Sequence, residues 1–307
     1  MSTADVFINS FVWKGIKKIL PTFVRGFLSR MYLQVLQGGR KIKLLLAAST
    51  YVQNWLAFCK EEMWGRATEF QLRLRGGIVI TVRPHTYDAF IVHEVFRHQG
   101  YAAGFVGLER ENSSTIVDLG GHIGSLSLFA AEQYSQARVV SVEAVPENAR
   151  LLQKNITDNT LGGRVTVLPY AVGEKSGSLT IYLRSDRTAQ HSALQKSDTS
   201  VTVPCLTLEE VFTKAGVIHC DLLKLDIEGS EYAVLMNAPL EVLKCIDRMV
   251  MEYHLFAGVS PDDLMNFLSR NGFIVYINTS LKHLYATRLE PPDSELQRMG
   301  YKRFCAI

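Results

Sequence analysis

Val117-Asp118-Leu119-Gly120-Gly121-His122-Ile123-Gly124 is the stretch that decides the fold. Residues 115–119 form a short apolar strand, and residues 124–134 continue at helical spacing. Gly120 and Gly121 permit a tight turn and let backbone approach a ligand with no Cβ in the way. Gly124 stands where the helix begins and can pack closely on the strand. The helix N-terminus offers free N–H groups that suit the carboxylate of an amino-acid-like cofactor. In an open α/β sheet, a turn at the carboxyl end of a strand is where ligands bind.

Outward from that turn, strands and helices alternate. Strands are expected at 138–143, 165–168, 221–227, 249–254, 273–277 and 302–307. Helices are expected at 146–158, at 207–215, after Gly229 and at 261–270. Pro146 sits in a first helical turn, a favoured place. The alternation predicts a mostly parallel sheet with helices on both faces and one antiparallel member near the end. Residues 177–183 and 200–203 read as an antiparallel ribbon inserted in this pattern. Upstream, 69–75 and 78–83 flank Gly76-Gly77 as a hairpin, and a helix follows over 87–98.

Glu143 ends the second strand, nineteen residues after Gly124. A carboxylate there can accept both ribose hydroxyls of an adenosine. The turn reads D-x-G-G-x-x-G, where hydride-transfer enzymes carry G-x-G-x-x-G. Asp118, just before the glycines, suits the cationic amino group of S-adenosylmethionine and would repel a pyrophosphate. His122 is expected to pack over the cofactor.

The second constellation is Asp221-Leu222-Leu223-Lys224-Leu225-Asp226-Ile227-Glu228-Gly229-Ser230-Glu231. With the Asp118–Gly124 turn and Val142-Glu143-Ala144-Val145-Pro146, this block resembles the FkbM family of S-adenosylmethionine-dependent methyltransferases. Tyr170-Ala171-Val172-Gly173 and Glu252-Tyr253-His254 extend the likeness, which covers about 85–277. The resemblance implies a class I methyltransferase sheet of seven strands. It implies O-methylation of a hydroxyl on a sugar or small natural product, with Ala144 and Ala171 joining Asp118, Gly120, Gly121, His122, Gly124, Glu143 and Asp226 around the cofactor.

A hydroxyl acceptor must lose a proton, so a base within hydrogen-bond reach is needed. Asp226, Glu228 and His254 all fall at strand carboxyl ends. An ordinary imidazole titrates near neutrality, which makes His254 the candidate base. Asp226 and Glu228 either share that task, orient the acceptor, take a divalent cation, or serve as a pocket wall and a helix cap. Lys224 shares their strand face and is expected to pair with Asp226 or Glu143. His191 in the inserted ribbon is a weaker candidate. Arg83, Tyr87 and Asp88 either close over the cofactor or, with Thr86, merely cap a helix.

The bulk numbers agree with a globular enzyme: 307 residues, 47% apolar and 21% charged. Residues 1–66 carry ten Lys/Arg against three Asp/Glu, while the rest is net acidic. This segment is read as a basic helical extension to a catalytic domain at 67–307. It suits a solvated helical face, contact with an anionic membrane surface, or a contact between copies of the chain. A dense basic tract is lacking, which disfavours nucleic acid. Five scattered cysteines with no C-x-x-C pair argue for reduced thiols, and no zinc site or signal peptide is evident; a cytoplasmic location is expected. Two other functions fit the turn alone: a nicotinamide-dependent oxidoreductase, or a non-catalytic cofactor-binding protein.

Overall fold

A computed structural model describes residue 44 and residues 47–98, 100–183, 199–254, 260–291 and 293–304. Most of the basic extension, and His191, lie outside the described residues. Contacts divide the chain into two units, Met1–Thr50 and Tyr51–Ile307. Residues 51–66, which the sequence reading joins to the extension, fall in the second of these units. Among the described residues no helix is long and apolar enough to cross a membrane.

The second unit begins with α1 (Trp55–Trp64) and the hairpin β1 (Phe70–Arg73) and β2 (Val79–Val82). Helix α2 (Asp88–His93) runs into a π-helical turn (Glu94–His98), and a short α3 (Ala102–Phe105) follows. Next come β3 (Thr115–Leu119), α4 (Ser125–Gln133), β4 (Arg138–Val142), α5 (Pro146–Asp158) and β5 (Val165–Leu168). β6 (Ala171–Val172), β7 (Gly177–Leu183) and β8 (Thr199–Leu206) make the separate ribbon. The chain continues through α6 (Leu208–Ala215), β9 (Leu222–Leu225), α7 (Glu231–Met236), α8 (Leu240–Lys244) and β10 (Arg248–Glu252). It ends with α9 (Pro261–Arg270), β11 (Ile274–Asn278), β12 (His283–Thr287), α10 (Asp293–Arg298) and β13 (Lys302–Arg303).

The main sheet runs β13-β11-β12-β10-β9-β3-β4-β5. Strands β10, β9, β3, β4 and β5 are parallel, and β12 lies antiparallel between β10 and β11. Among the described residues this is an α/β, mostly parallel sheet of eight strands, where the resemblance implies seven. The extra member is a correction to the sequence reading. The antiparallel strand is His283–Thr287, and within the expected strand at 302–307 Lys302 and Arg303 pair with β11, while 305–307 lie outside the described residues. All five β12 residues are buried, so neither alternation nor a flanking helix marks it.

The order reverses between β3 and β9, and the crevice there is the place for a ligand. Parallel register sets Asp118 beside Lys224 on one side and beside Ser141 on the other. The upstream hairpin is tied to the same region by two side-chain amides, Asn155 of α5 and Asn159 at its C-cap. Asn155 accepts from the Thr81 N–H (2.7 Å) and donates to Thr81 O and Ile123 O. Asn159 makes the equivalent pair with Val79. These bonds supply β2 with the partners a further strand would give.

Candidate active site

Gly120 has φ +80°, and a Cβ there would lie 1.9 Å from the Asp226 carbonyl oxygen. The turn thus needs glycine for conformation and for clearance. The N–H groups of Gly120 and Gly121 both donate to Val142 O at 2.9 Å, closing the turn against β4. Glu143, just beyond β4, accepts from the N–H of His122 and of Val145, each at 2.8 Å. Burial pushes its carboxyl above the usual range, partly offset by those bonds.

Asp118 lines the crevice, and its carboxylate also has partners inside the protein. It is fully buried, sits 3.1 Å from Lys224 Nζ and accepts from Ser127 Oγ at 2.8 Å. Lys224 pairs with Asp118 rather than with Asp226 or Glu143, and donates to the carbonyls of Leu119 (3.2 Å) and Gly120 (2.7 Å). Burial opposes its charge, but Asp118 and Asp226 more than restore it and hold the ammonium above its ordinary value. The pair is a buried clamp that fixes the first glycine of the turn.

The upstream strap does more than cap a helix. The Thr86 hydroxyl does accept the Asp88 N–H at 3.2 Å. The Asp88 carboxylate, fully buried, also receives both arms of the Arg83 guanidinium at 2.8 and 2.9 Å, and its Oδ1 lies 3.2 Å from His122 Nε2. Burial opposes ionisation, yet bonds from His122 and Arg83 hold this carboxyl well below the usual range. Tyr87 and Phe90 of the same strap wall the crevice over the glycine turn.

The crevice is a pocket of about 280 Å³. Its lining brings Asp118, Gly120, Gly121, His122 and Glu143 together with Glu94, Asp226, Glu228 and Glu252. β9 ends at Leu225, so Asp226 and Glu228 project from the turn after the strand, with Glu228 at φ +53°. Tyr101 donates to Asp226 Oδ2 at 2.7 Å. Its ring stacks on His283 (5.2 Å, 9°) and carries Lys224 Nζ 5.3 Å from its centre. We predict that Tyr101→Phe costs about 1–3 kcal/mol, the usual range for losing a bond to a charged group. A denaturation midpoint in urea indistinguishable from wild type would show that Asp226 does not depend on it.

Glu231, buried at the start of α7, accepts from the N–H of Ile227 and of Gly229, both at 2.9 Å, and so shapes this turn. His254 lies behind the pocket wall, not on it. Its Nδ1 is 3.3 Å from Glu231, while its Nε2 is 3.4 Å from Glu228 and 3.9 Å from Glu252. Burial disfavours its charge, but Glu231, Glu228 and Asp226 outweigh that and raise the imidazole to about 9. An imidazole raised in this way holds its proton more tightly, which favours a carboxylate of the cluster as the proton acceptor. Glu228 is pushed up to about 8 and Glu252 to about 7, in both cases by burial first and then by Asp226. The ligating atoms of Asp226, Glu228 and His254 lie within 4.8 Å of one another, a spacing that a shared proton or a divalent cation can bridge.

Other expected residues fall elsewhere. Gly124 packs against Leu152 behind the turn, and a Cβ there would come within 2.6 Å of it. Ala144 and Ala171 join an apolar cluster with Ile181 and Val203 beneath the ribbon instead of reaching the pocket. Glu94 and Tyr101 escaped the sequence reading because no motif surrounds them. Glu252 sat within a quoted motif but was overshadowed by His254.

The FkbM methyltransferase domain matches residues 118–275. A hexuronic acid methyltransferase of Haloferax volcanii is 26% identical over 161 residues, 52% of this chain; the chain covers 64% of that protein. The 31-O-demethyl-FK506 methyltransferase of Streptomyces tacrolimicus is 24% identical over 233 residues, covering 66% of this chain and 88% of its own. Among solved structures, the M. capricolum TrmK complex with S-adenosylhomocysteine aligns at TM-score 0.39 and 12% identity, over 64% of this chain and 69% of that one. Since the matched domain spans more than half of the 307 residues, this chain belongs to the FkbM methyltransferase family.

Proposed function

We propose that the protein is an S-adenosylmethionine-dependent O-methyltransferase acting on a hydroxyl of a sugar-containing or other small natural-product acceptor. The observation that carries this reading is the pocket itself. It brings a glycine turn with an acidic strand end together with a carboxylate cluster able to take a proton. Family membership sets aside the nicotinamide-dependent oxidoreductase. The hexuronic acid and 31-O-demethyl-FK506 in the relatives' names support the acceptor class.

The residues fit the cofactor on their own terms. Glycine clears the turn, Glu143 offers a carboxylate for ribose hydroxyls, and buried polar atoms of His122 and Ser125 lack protein partners. When bound there, S-adenosylmethionine supplies a methyl group on a sulfonium, ready for in-line displacement. The chain's own work is to hold the acceptor hydroxyl in the pocket and to receive its proton. Glu228, on the wall, is the proton acceptor; Glu252 shares the proton load and the His254 cation steadies both.

Isothermal titration with S-adenosylhomocysteine and transfer of labelled methyl into fractionated metabolites test this reading. Binding without transfer to any fraction would favour the non-catalytic alternative. Activity that survives a chelator separates proton sharing from a metal role for Asp226 and Glu228. For Glu143→Gln we expect about a tenfold or greater loss of S-adenosylhomocysteine affinity, since a bond to a charged group is given up. Unchanged affinity would remove Glu143 from the cofactor site.

A further inference from the structure

Helix α1 presents an apolar face to solvent. Leu56 is 66% exposed, Met63 49% and Trp64 72%. With Lys60 they stand at i, i+4, i+7 and i+8, which puts all four side chains on one side of the helix. The opposite side is anchored. Phe58 is buried with its ring 5.9 Å from that of Phe70, and Glu62, also buried, accepts the His85 N–H at 2.8 Å. His85 leads into the strap whose Tyr87 and Phe90 wall the crevice.

Charge decides what suits this face. Residues 1–50 carry eight Lys/Arg against one Asp/Glu, with Arg40, Lys41 and Lys43 falling within fifteen residues of Trp55. Lys60 and Arg66 stand either side of Trp64 in sequence, and Arg73 lies on β1, which Asn54 ties to the start of α1; all three cations are exposed. Of the acids nearby, Glu62 is turned inward onto His85 and Glu69 pairs with Arg150. Tryptophan beside Lys and Arg is the composition that settles where hydrocarbon meets lipid headgroups. A second copy of the chain fits less well. It would bring another cationic segment against the first, and like charges repel. Three apolar side chains on a ten-residue helix also fall short of the roughly 800 Å² that each partner of a stable complex buries.

We infer that α1 is a membrane-docking face: Leu56, Met63 and Trp64 enter the headgroup boundary of a bilayer, and the cations around and upstream of them meet its anionic lipids. A few apolar side chains or a diffuse basic segment alone gives weak, reversible attachment, whereas the two signals together hold. Glu62 joins α1 to the strap, so the crevice wall is carried with the docked helix.

Co-sedimentation of the full chain with vesicles tests this. Phosphatidylcholine vesicles with one third phosphatidylglycerol should carry the protein down, and pure phosphatidylcholine should bind it about tenfold more weakly or less. Salt at about 1 M, which screens charge beyond about 3 Å, should remove most of that difference. Leu56→Gln with Trp64→Gln should lower binding to the mixed vesicles about tenfold or more, with the urea midpoint as in wild type because both sites are exposed. Lys60→Glu with Arg66→Glu, which removes no apolar group, should show a similar loss. Absence of binding, equal binding to both vesicle types, or a Leu56→Gln/Trp64→Gln variant that binds like wild type overturns the inference. A wild-type dimer in sedimentation velocity that the same variant dissolves assigns the face to a second copy and overturns it as well.

Discussion

Lys224→Met should lower folding stability by about 3–5 kcal/mol, the cost of leaving one member of a buried ion pair alone. Lys224 is 3% exposed and Asp118 fully buried, so water cannot replace the missing ammonium. The substitution keeps most of the aliphatic stem, which confines the loss to the charge and to the bonds on Leu119 O and Gly120 O. Domains are commonly stable by about 5–15 kcal/mol, so this single change removes a large part of the margin. The paired change Lys224→Met with Asp118→Asn should recover more than half of the loss, because no bare charge then remains inside. Urea denaturation followed by circular dichroism measures both. A single-mutant loss under about 1 kcal/mol would mean that the pair contributes little and that the turn is held by its backbone bonds alone.

That clamp marks the boundary of what can be read from the chain without its fold. Gly120 and Glu143 were legible because each answers a local demand: a positive φ with no room for a Cβ, and a carboxylate at a strand end. The alternation of strands and helices was legible for the same reason, since burial on both faces leaves short apolar runs. The partner of Asp118 was not, because it lies 106 positions away and is fixed only by the parallel register of β3 with β9. His283–Thr287 was missed because a five-residue strand buried throughout has no period of its own. The strap was half legible: Arg83, Tyr87 and Asp88 drew notice, but their grip on His122 depends on the hairpin being tied to α5 through Asn155 and Asn159. His254 was chosen for the ordinary imidazole value, and three carboxylates around it changed that value.

The same carboxylates lead to the largest catalytic effect we expect. Glu228→Gln should lower kcat by about 10²–10⁴, the usual contribution of a positioned proton acceptor, with cofactor affinity nearly unchanged. The pH profile carries the sign. A carboxyl whose pKa is raised keeps its proton to higher pH, so the acceptor form of Glu228 and Glu252 grows as pH rises through about 7 to 8. The wild-type kcat/KM should therefore fall as pH drops through that range, in steps that belong to the cluster rather than to one residue. The His254 cation pulls both carboxyls down toward their ordinary values. His254→Gln removes that pull, so its acid limb should move to higher pH, with turnover at neutrality reduced far more than cofactor affinity. An imidazole acting as the base itself predicts something different: loss of the limb altogether, and near-normal proton transfer in Glu228→Gln. If Glu228→Gln keeps more than a tenth of the wild-type kcat, or if the His254→Gln limb stays in place, the proton does not pass to this cluster. The proton acceptor then has to be sought among other groups of the pocket.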